Sequence, residues 1–505
     1  MIRKICQMYL KGLQICCRRI WTKLRIIKKQ KILFRQIIYG FQRVFITLFF
    51  VYAVLGSNNI TYGNGIITYV MWPTLALGCG LGLYRLIHFK LYKTMTGIFA
   101  MLAMLVSIGV STLVNHQYGL KDNLVFCVYW FLFFVVLYAV EAGKPFDRVK
   151  KDFEYIGLIF LVYISLGVIA SLIQMEMGYS KKITVDGIVS VYDFYAGFSI
   201  GRLWGIFINP NNGAVSAAIA MMLAWYFMGK TKGILVKILP LVDIVLLLLY
   251  IALSDSRTGA VCLGITFGCY VLLKLLYKGE MKKKEKRLVH NLISIIIAMA
   301  VVITGFFLPR ETKDVYNDVA VRIAQYKEDK LNEERIENMD PENPDLEIIE
   351  VNPIVVNRGY DLSGDVSNRR LDAWESAVEV FVSSPRVLIL GASFKGFTQY
   401  ALENMPHTYI VNNSYGYFST LDNEIFNIMD AQGLLGLVTL LWLLISLFLV
   451  FVKNILKISL EKRQLVIVLA SIVFGLAASA MFCGVMFYHF SQNTVLFWIA
   501  LGGLM

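Results

Sequence analysis

A chain of 505 residues that is 57% hydrophobic and only 17% charged is too apolar for a soluble globular protein of its size. Its formal net charge of +14 comes from lysine and arginine blocks set between apolar runs, a pattern that membrane topology and anionic lipid headgroups explain without any nucleic acid. None of the eight cysteines falls between 309 and 432 and none has metal-ligand spacing, which excludes a disulfide-stapled ectodomain and a cysteine metal site.

Residues 1–36 form a basic arm without the short apolar core and small-residue cleavage site of a signal peptide. Apolar runs near or above the about 18 residues needed to cross a bilayer then recur at 37–56, 66–84, 97–115, 123–140, 155–175, 212–228, 238–253, 258–277 and 289–308. A long polar interval, 309–432, separates these from three more at 433–452, 464–484 and 491–505. A helix satisfies its own backbone amides in lipid, and the runs lack the alternation of barrel strands. The expected fold is therefore an all-α polytopic membrane protein of about twelve transmembrane helices. Basic residues gather at 144–151, 230–237, 278–287 and 453–463, whereas the connections 57–65 and 484–491 carry none. This asymmetry predicts both termini in the cytoplasm, 309–432 on the outer side, and the lipid bilayer as the first partner.

The outward connections carry the informative residues. Segment 176–210 contains Tyr179, Tyr192, Phe194 and Tyr195 and leads into GRLWGIFINPNNGA at 201–214, where Pro210 opens a span next to Arg202, Asn211 and Asn212. Arg202 reads either as interfacial snorkelling beside Trp204 or as part of a site. SDSRTGA, at 254–260, joins two spans in so few residues that Ser254, Asp255, Ser256 and Arg257 must lie at or just below the outer face. Charge at that depth is expensive unless it is paired or open to water, which makes these residues functional candidates. Arg257 is either neutralised by Asp255 or uses its planar fork of donors on a phosphate or pyrophosphate.

Within the long interval, 311–356 reads as a solvated helix and then an extended connector, with a break at DPENPD, 340–345. NRRLDAWESAVEVFVSSP, 368–385, is predicted to be a helix with Leu371, Trp374, Val378 and Phe381 on its apolar face, stopped by Pro385. A glycine-rich turn at 390–397, a further helix and the polar run 407–424 follow, and IMDAQGLLGL at 428–437 re-enters the membrane. For a general base the first candidate is Asp422 and the second His407, with His116 and His489 behind them near outer loops. Asp422 also reads as the N-cap of the helix after it. Tyr400, Tyr409, Tyr415, Tyr417 and Phe418 fit either sugar stacking or core packing.

The order of these strings resembles the O-antigen polymerase and ligase family of bacterial membrane glycosyltransferases. The resemblance covers residues 200–445: an R…G…NPN segment opening a span, an S-x-S-R-x-G hinge, and a long external loop. That loop begins R…AW…A…F…SP…G and ends in a polar dyad before GLLGL. The resemblance implies an undecaprenyl-pyrophosphate-linked glycan as donor, its pyrophosphate held by Arg202, Arg257 and Arg370. Asn211, Ser256 and Asn423, from the same strings, complete the substrate-binding set. The family's ligases carry a histidine–asparagine dyad where this chain has Asp422-Asn423. That substitution, an aspartate for the histidine, favours a polymerase and leaves the identity of the base open.

Such a reaction is displacement at the anomeric carbon by a sugar hydroxyl. Pyrophosphate is already an activated leaving group whose charge arginines stabilise, so no metal and no cofactor are expected. A flippase and a chain-length regulator are the companions the resemblance implies. Two other readings are a ligase moving the polymer to a lipid A core, protein or wall acceptor, and a lipid-linked oligosaccharide flippase or transporter. A transporter calls for charges in mid-span and for repeated halves.

Overall fold

The structure, a computed structural model, describes residues 36–186, 191–280, 284–337, 349–357, 369–413, 417–455 and 457–505. The basic arm, DPENPD and Tyr415 lie outside them. In chain order the helices are α1 (Gln36–Ser57), α2 (Ile66–Ile87), α3 (Ile98–Val114), α4 (Leu120–Phe131, prolonged by a wider turn at Leu132–Tyr138) and α5 (Phe146–Glu176). There follow α6 (Pro210–Met228), α7 (Ile234–Leu253), α8 (Arg257–Gly279), α9 (Lys284–Glu337), α10 (Arg370–Val382), α11 (Pro385–Leu390) and α12 (Phe397–Asn404). The last three are α13 (Glu424–Ile455), α14 (Leu460–Ser479) and α15 (Gln492–Leu504).

Among the described residues, nine helices are long and apolar enough to cross a membrane, namely α1, α2, α4, α5, α7, α8, α9, α13 and α14. By length and composition this is a multi-pass helical membrane protein. The runs 97–115 and 491–505 fall on the shorter helices α3 and α15, and 212–228 on α6, whose first turn is polar.

The chain is not all-α. Three strands, β1 (Ser180–Asp186), β2 (Val191–Ser199) and β3 (Arg202–Gly205), form an antiparallel sheet. Lys182 pairs with Tyr195, Ile183 with Phe194 and Thr184 with Asp193, so the adjacent Phe194 and Tyr195 fall on opposite faces of the sheet. The β2–β3 turn is made by Ile200 and Gly201, both at positive φ (52° and 64°), the backbone that a two-residue hairpin demands. A side chain at position 201 would also collide with the carbonyl of Asn357, so the extended segment 349–357 docks there through its own Asn357 N–H on Gly201 O (3.0 Å).

Helix α9 joins two predicted elements into one. Its 54 residues run from the apolar stretch through Pro309 into the charged one without interruption. Asn317 and Asn332 then hold the connector alongside it, each exchanging two hydrogen bonds with a backbone unit, of Val356 and Ile349 respectively. Against α8 the same helix packs on glycine. A Cβ on Gly264 would press on the backbone of Val302, and one on Gly305 would meet Gly264 itself. Small residues four apart on α8 (Gly264 and Gly268) let membrane helices approach this closely.

A separate core, including Ala373, Ala377, Val380, Val387, Phe397, Tyr400, Ile410 and Leu421, binds α10–α12 to the start of α13. The predicted apolar face of α10 needs correction. Leu371 and Val378 are exposed, and the buried stripe is Ala373, Ser376, Ala377 and Val380, whose small side chains bring the helix in close. Helix α13 breaks at Gly433 (φ 65°), where Ser111 of α3 and Asn115, its C-cap, donate to the carbonyls of Ala431 and Gly391. Near the other end of the bundle, acids meet the basic connections in the ion pairs Arg43–Asp152, Lys144–Asp152, Lys230–Glu154 and Arg463–Glu280.

Candidate functional site

Helix α6 begins where Pro210 supplies a preset φ and Asn209 caps the turn, its side chain accepting from Asn211 N–H (2.8 Å). This start presents Asn211 to the α7–α8 connection. Asn211 Oδ1 accepts from Arg202 Nη2 (3.2 Å) and from Ser256 Oγ (2.9 Å), while Arg202 Nε donates to Ser254 O (2.8 Å). Ser256 Oγ in turn accepts from Gly259 N–H (3.1 Å), capping α8 just before Arg257. Three of the predicted substrate-binding residues, Arg202, Asn211 and Ser256, therefore do come together. Their hydrogen bonds go largely to one another and to backbone, so they act as a clamp that sets Arg257 in place.

Arg257 stands between two cavities. One, of about 430 Å³, is lined by Arg257, Arg370, Val261, Phe306, Leu371, Trp374 and Phe482. Two guanidinium groups brought together from distant parts of the chain thus share one largely apolar space. The other, of about 330 Å³, adds Arg310 and Lys313 to Arg257, with Phe306, Phe307 and Pro309 as apolar wall. In it Lys313 Nζ lies 3.1 Å from Asp255 Oδ1.

Arg370 opens α10 and faces Asp422, Nη2 to Oδ2 3.6 Å. One turn on, Trp374 Nε1 donates to Leu421 O (2.8 Å) and its ring stacks on Phe426, which fixes the helix against the segment carrying Asp422. The Asp422 side chain keeps 39% of its surface open, yet the surrounding protein desolvates it and raises its pKa; the nearby Arg370 charge acts in the opposite sense. Asp422 is not the helix cap. Asn423 is, accepting from Ile425 N–H (2.9 Å) and donating to Met481 O (3.1 Å), which commits this predicted substrate ligand to structure.

His407 is not brought to this site's arginines. Its side chain is 72% exposed and its ionic partner is Glu379 at 3.7 Å. His116 is also exposed, bonding its own helix at Leu113 O. Tyr400 is buried in the second core, and Tyr409, Tyr417 and Phe418 pack against it, so packing accounts for them.

A second polar cluster gathers Asn212 and His489, both noted in the sequence, with Cys483 and Lys395, which were not singled out. Asn212 Oδ1 accepts from Cys483 Sγ (2.7 Å), which turns its Nδ2 to His489 Nε2 (2.8 Å) and leaves the imidazole proton on Nδ1. Burial pushes the His489 pKa down to about 4, and the nearby Lys395 charge adds to the effect. Lys395 is itself pushed down by desolvation while Asp122 pulls it up. Cys483 lies within electrostatic reach of Asp422 and Arg370, so this cluster adjoins the ion pair. Glu424 anchors its loop, Oε1 accepting from the N–H groups of Met486 (2.9 Å) and Phe487 (3.0 Å). The available signal was the doubled asparagine of NPNN together with the outer-loop histidine. Among the described residues no group of three or more His, Cys, Asp or Glu side chains is placed to hold a metal ion.

A scan of the chain against protein-family models finds no match, and a search among curated proteins finds none either.

Proposed function

We propose that this protein is a polysaccharide polymerase of the bacterial plasma membrane. In this reading it transfers an undecaprenyl-pyrophosphate-linked glycan onto a lipid-linked repeat unit at the outer face. All twelve apolar runs then cross the bilayer, with both termini cytoplasmic, which puts Arg202, Arg257, Arg370 and Asp422 outside. The observation that carries the reading is the cavity shared by Arg257 and Arg370 beside Asp422. Its apolar walls suit the first units of a polyprenyl chain, and its two planar forks suit a diphosphate.

The chemistry follows from that arrangement. The acceptor hydroxyl loses its proton to Asp422 and attacks the anomeric carbon. The bond from that carbon to the diphosphate oxygen breaks, and the departing lipid diphosphate takes the electron pair and the negative charge, which Arg257 and Arg370 stabilise. Desolvation of Asp422 makes it a stronger base than an open carboxylate. Arg202, Asn211 and Ser256 hold the turn that aims Arg257.

The test is the size profile of lipid-linked glycan in cells lacking the protein. Single repeat units alone support the polymerase. Full-length polymer left on its lipid means a ligase with another acceptor, and repeat units trapped on the cytoplasmic side mean a flippase or transporter.

A further inference from the structure

We infer that the cavity walled by Asp255, Arg257, Arg310 and Lys313 is a second lipid-phosphate site, and that it holds the phosphate end of the acceptor. The inference rests on the transferase reading above and names its second substrate as another polyprenyl diphosphate lipid. Arg257, Arg310 and Lys313 line a space of about 330 Å³ together with Asp255, so three basic side chains and one acidic one meet there. The rest of its wall includes Ile251, Phe306, Phe307 and Pro309. That wall continues onto the exposed apolar surface of α9 at Ile303, Phe307 and Leu308, a path for a prenyl tail. A free phosphate needs no such surface, and a protein or wall acceptor would bring no anionic lipid end to meet the cations.

Chemistry assigns the two cavities. In the donor, the anomeric carbon is bonded directly to the diphosphate, so the donor diphosphate must lie beside the base. That is the Arg370 cavity, next to Asp422. In the acceptor, the attacking hydroxyl is separated from its own diphosphate by the sugars of the repeat unit. Its phosphate end therefore belongs in a site set apart from Asp422, with the glycan reaching across. Arg257 lines both cavities.

Asp255 tunes the second site. It sits at φ 46° and engages the Lys313 ammonium at 3.1 Å, so an arriving phosphate has to compete with it. Asparagine tolerates the left-handed backbone better than other residues with a side chain, so Asp255→Asn removes the competing charge while keeping the turn.

The experiment is native mass spectrometry of the full chain in detergent, with undecaprenyl diphosphate, phosphatidylglycerol and inorganic phosphate as separate probes. Two equivalents of undecaprenyl diphosphate are expected on the wild type and one on Arg310→Gln/Lys313→Gln. Arg370→Gln is expected to lose the other, and Asp255→Asn to tighten the Arg310/Lys313 site by about tenfold. A single equivalent lost only in Arg370→Gln overturns the second site and leaves the transferase reading standing. Phosphatidylglycerol or inorganic phosphate filling the Arg310/Lys313 site as well as the diphosphate lipid does overturns the acceptor assignment. No binding of undecaprenyl diphosphate to any form overturns both.

Discussion

Asn211 and Asn212, neighbours in the chain, serve two different clusters: the first holds Arg202 and Ser256, the second holds His489 and Cys483. One polar doublet at the start of α6 thereby ties the sheet and the α7–α8 connection to the α14–α15 connection. Asn211→Ala leaves a buried guanidinium donor and a serine hydroxyl without their shared acceptor. We expect a loss of about 1–3 kcal/mol, read as a lower unfolding temperature in detergent.

Arg257 carries the sharpest functional prediction. Arg257→Ala should lower chain extension by about 100-fold or more, the scale seen when one donor to a developing anion is removed. Protein level in the membrane should not change. Arg257→Lys should restore little, because an ammonium cannot make the paired fork contact. Normal polymer length in Arg257→Ala cells would remove the diphosphate site.

The Arg370–Asp422 pair makes the pH dependence of transfer specific. A base works when deprotonated, and burial raises the Asp422 pKa, so activity should fall with decreasing pH above the ordinary aspartate value of about 3.9. Arg370→Gln removes the interaction that lowers that pKa and should move the acid limb to still higher pH. Asp422→Asn should abolish transfer with the protein still folded. His407→Ala should leave the rate unchanged, and a strong loss there would reassign the base.

His489 predicts a pH-dependent loosening elsewhere. Its folded pKa of about 4 lies below the ordinary value of about 6.5, so the fold favours the neutral ring. That stabilisation is complete above the unfolded value and is lost as pH falls through the interval towards 4. Hydrogen exchange at 481–490 should accelerate across that interval in the wild type and lose this dependence in His489→Gln.

Packing of α8 on α9 can be tested without touching charge. Gly264→Leu places a side chain where the α9 backbone lies, and should cost about 1–3 kcal/mol or push the helices apart. Thermal unfolding in detergent measures the first, and loss of a disulfide engineered between the outer ends of the two helices measures the second.

Much of the scaffold was legible because apolar length is a strong signal: each of the twelve runs falls on a helix. The sheet was not, since adjacent aromatics at Phe194 and Tyr195 break the alternation begun at Tyr192 and Phe194. Arg257 was legible as a charge at a span junction, and Arg370 and Asp422 through the order of the strings that carry the family resemblance. His489 and Asn212 were visible only as a weak base candidate and a polar doublet, and Lys395, Arg310 and Lys313 were not singled out, because each acquires meaning only from what tertiary packing sets opposite it. Arg310 and Lys313 read as the solvated face of a helix until α8 closes on α9. Asn423 was misassigned for a related reason, since an Asx cap and a ligand look alike in a string.

The unbroken helix α9 also has a mechanical meaning. From Pro309 to Glu337 its arm extends for roughly 40 Å, so a bend of about 10° at the proline would swing the tip by about 7 Å. Arg310 and Lys313 sit at the fulcrum, while Asn317 and Asn332 carry the connector along the arm as one load. Occupancy of a pocket at the membrane edge would thus be amplified into a displacement far above it, where a distance probe on the arm can read it.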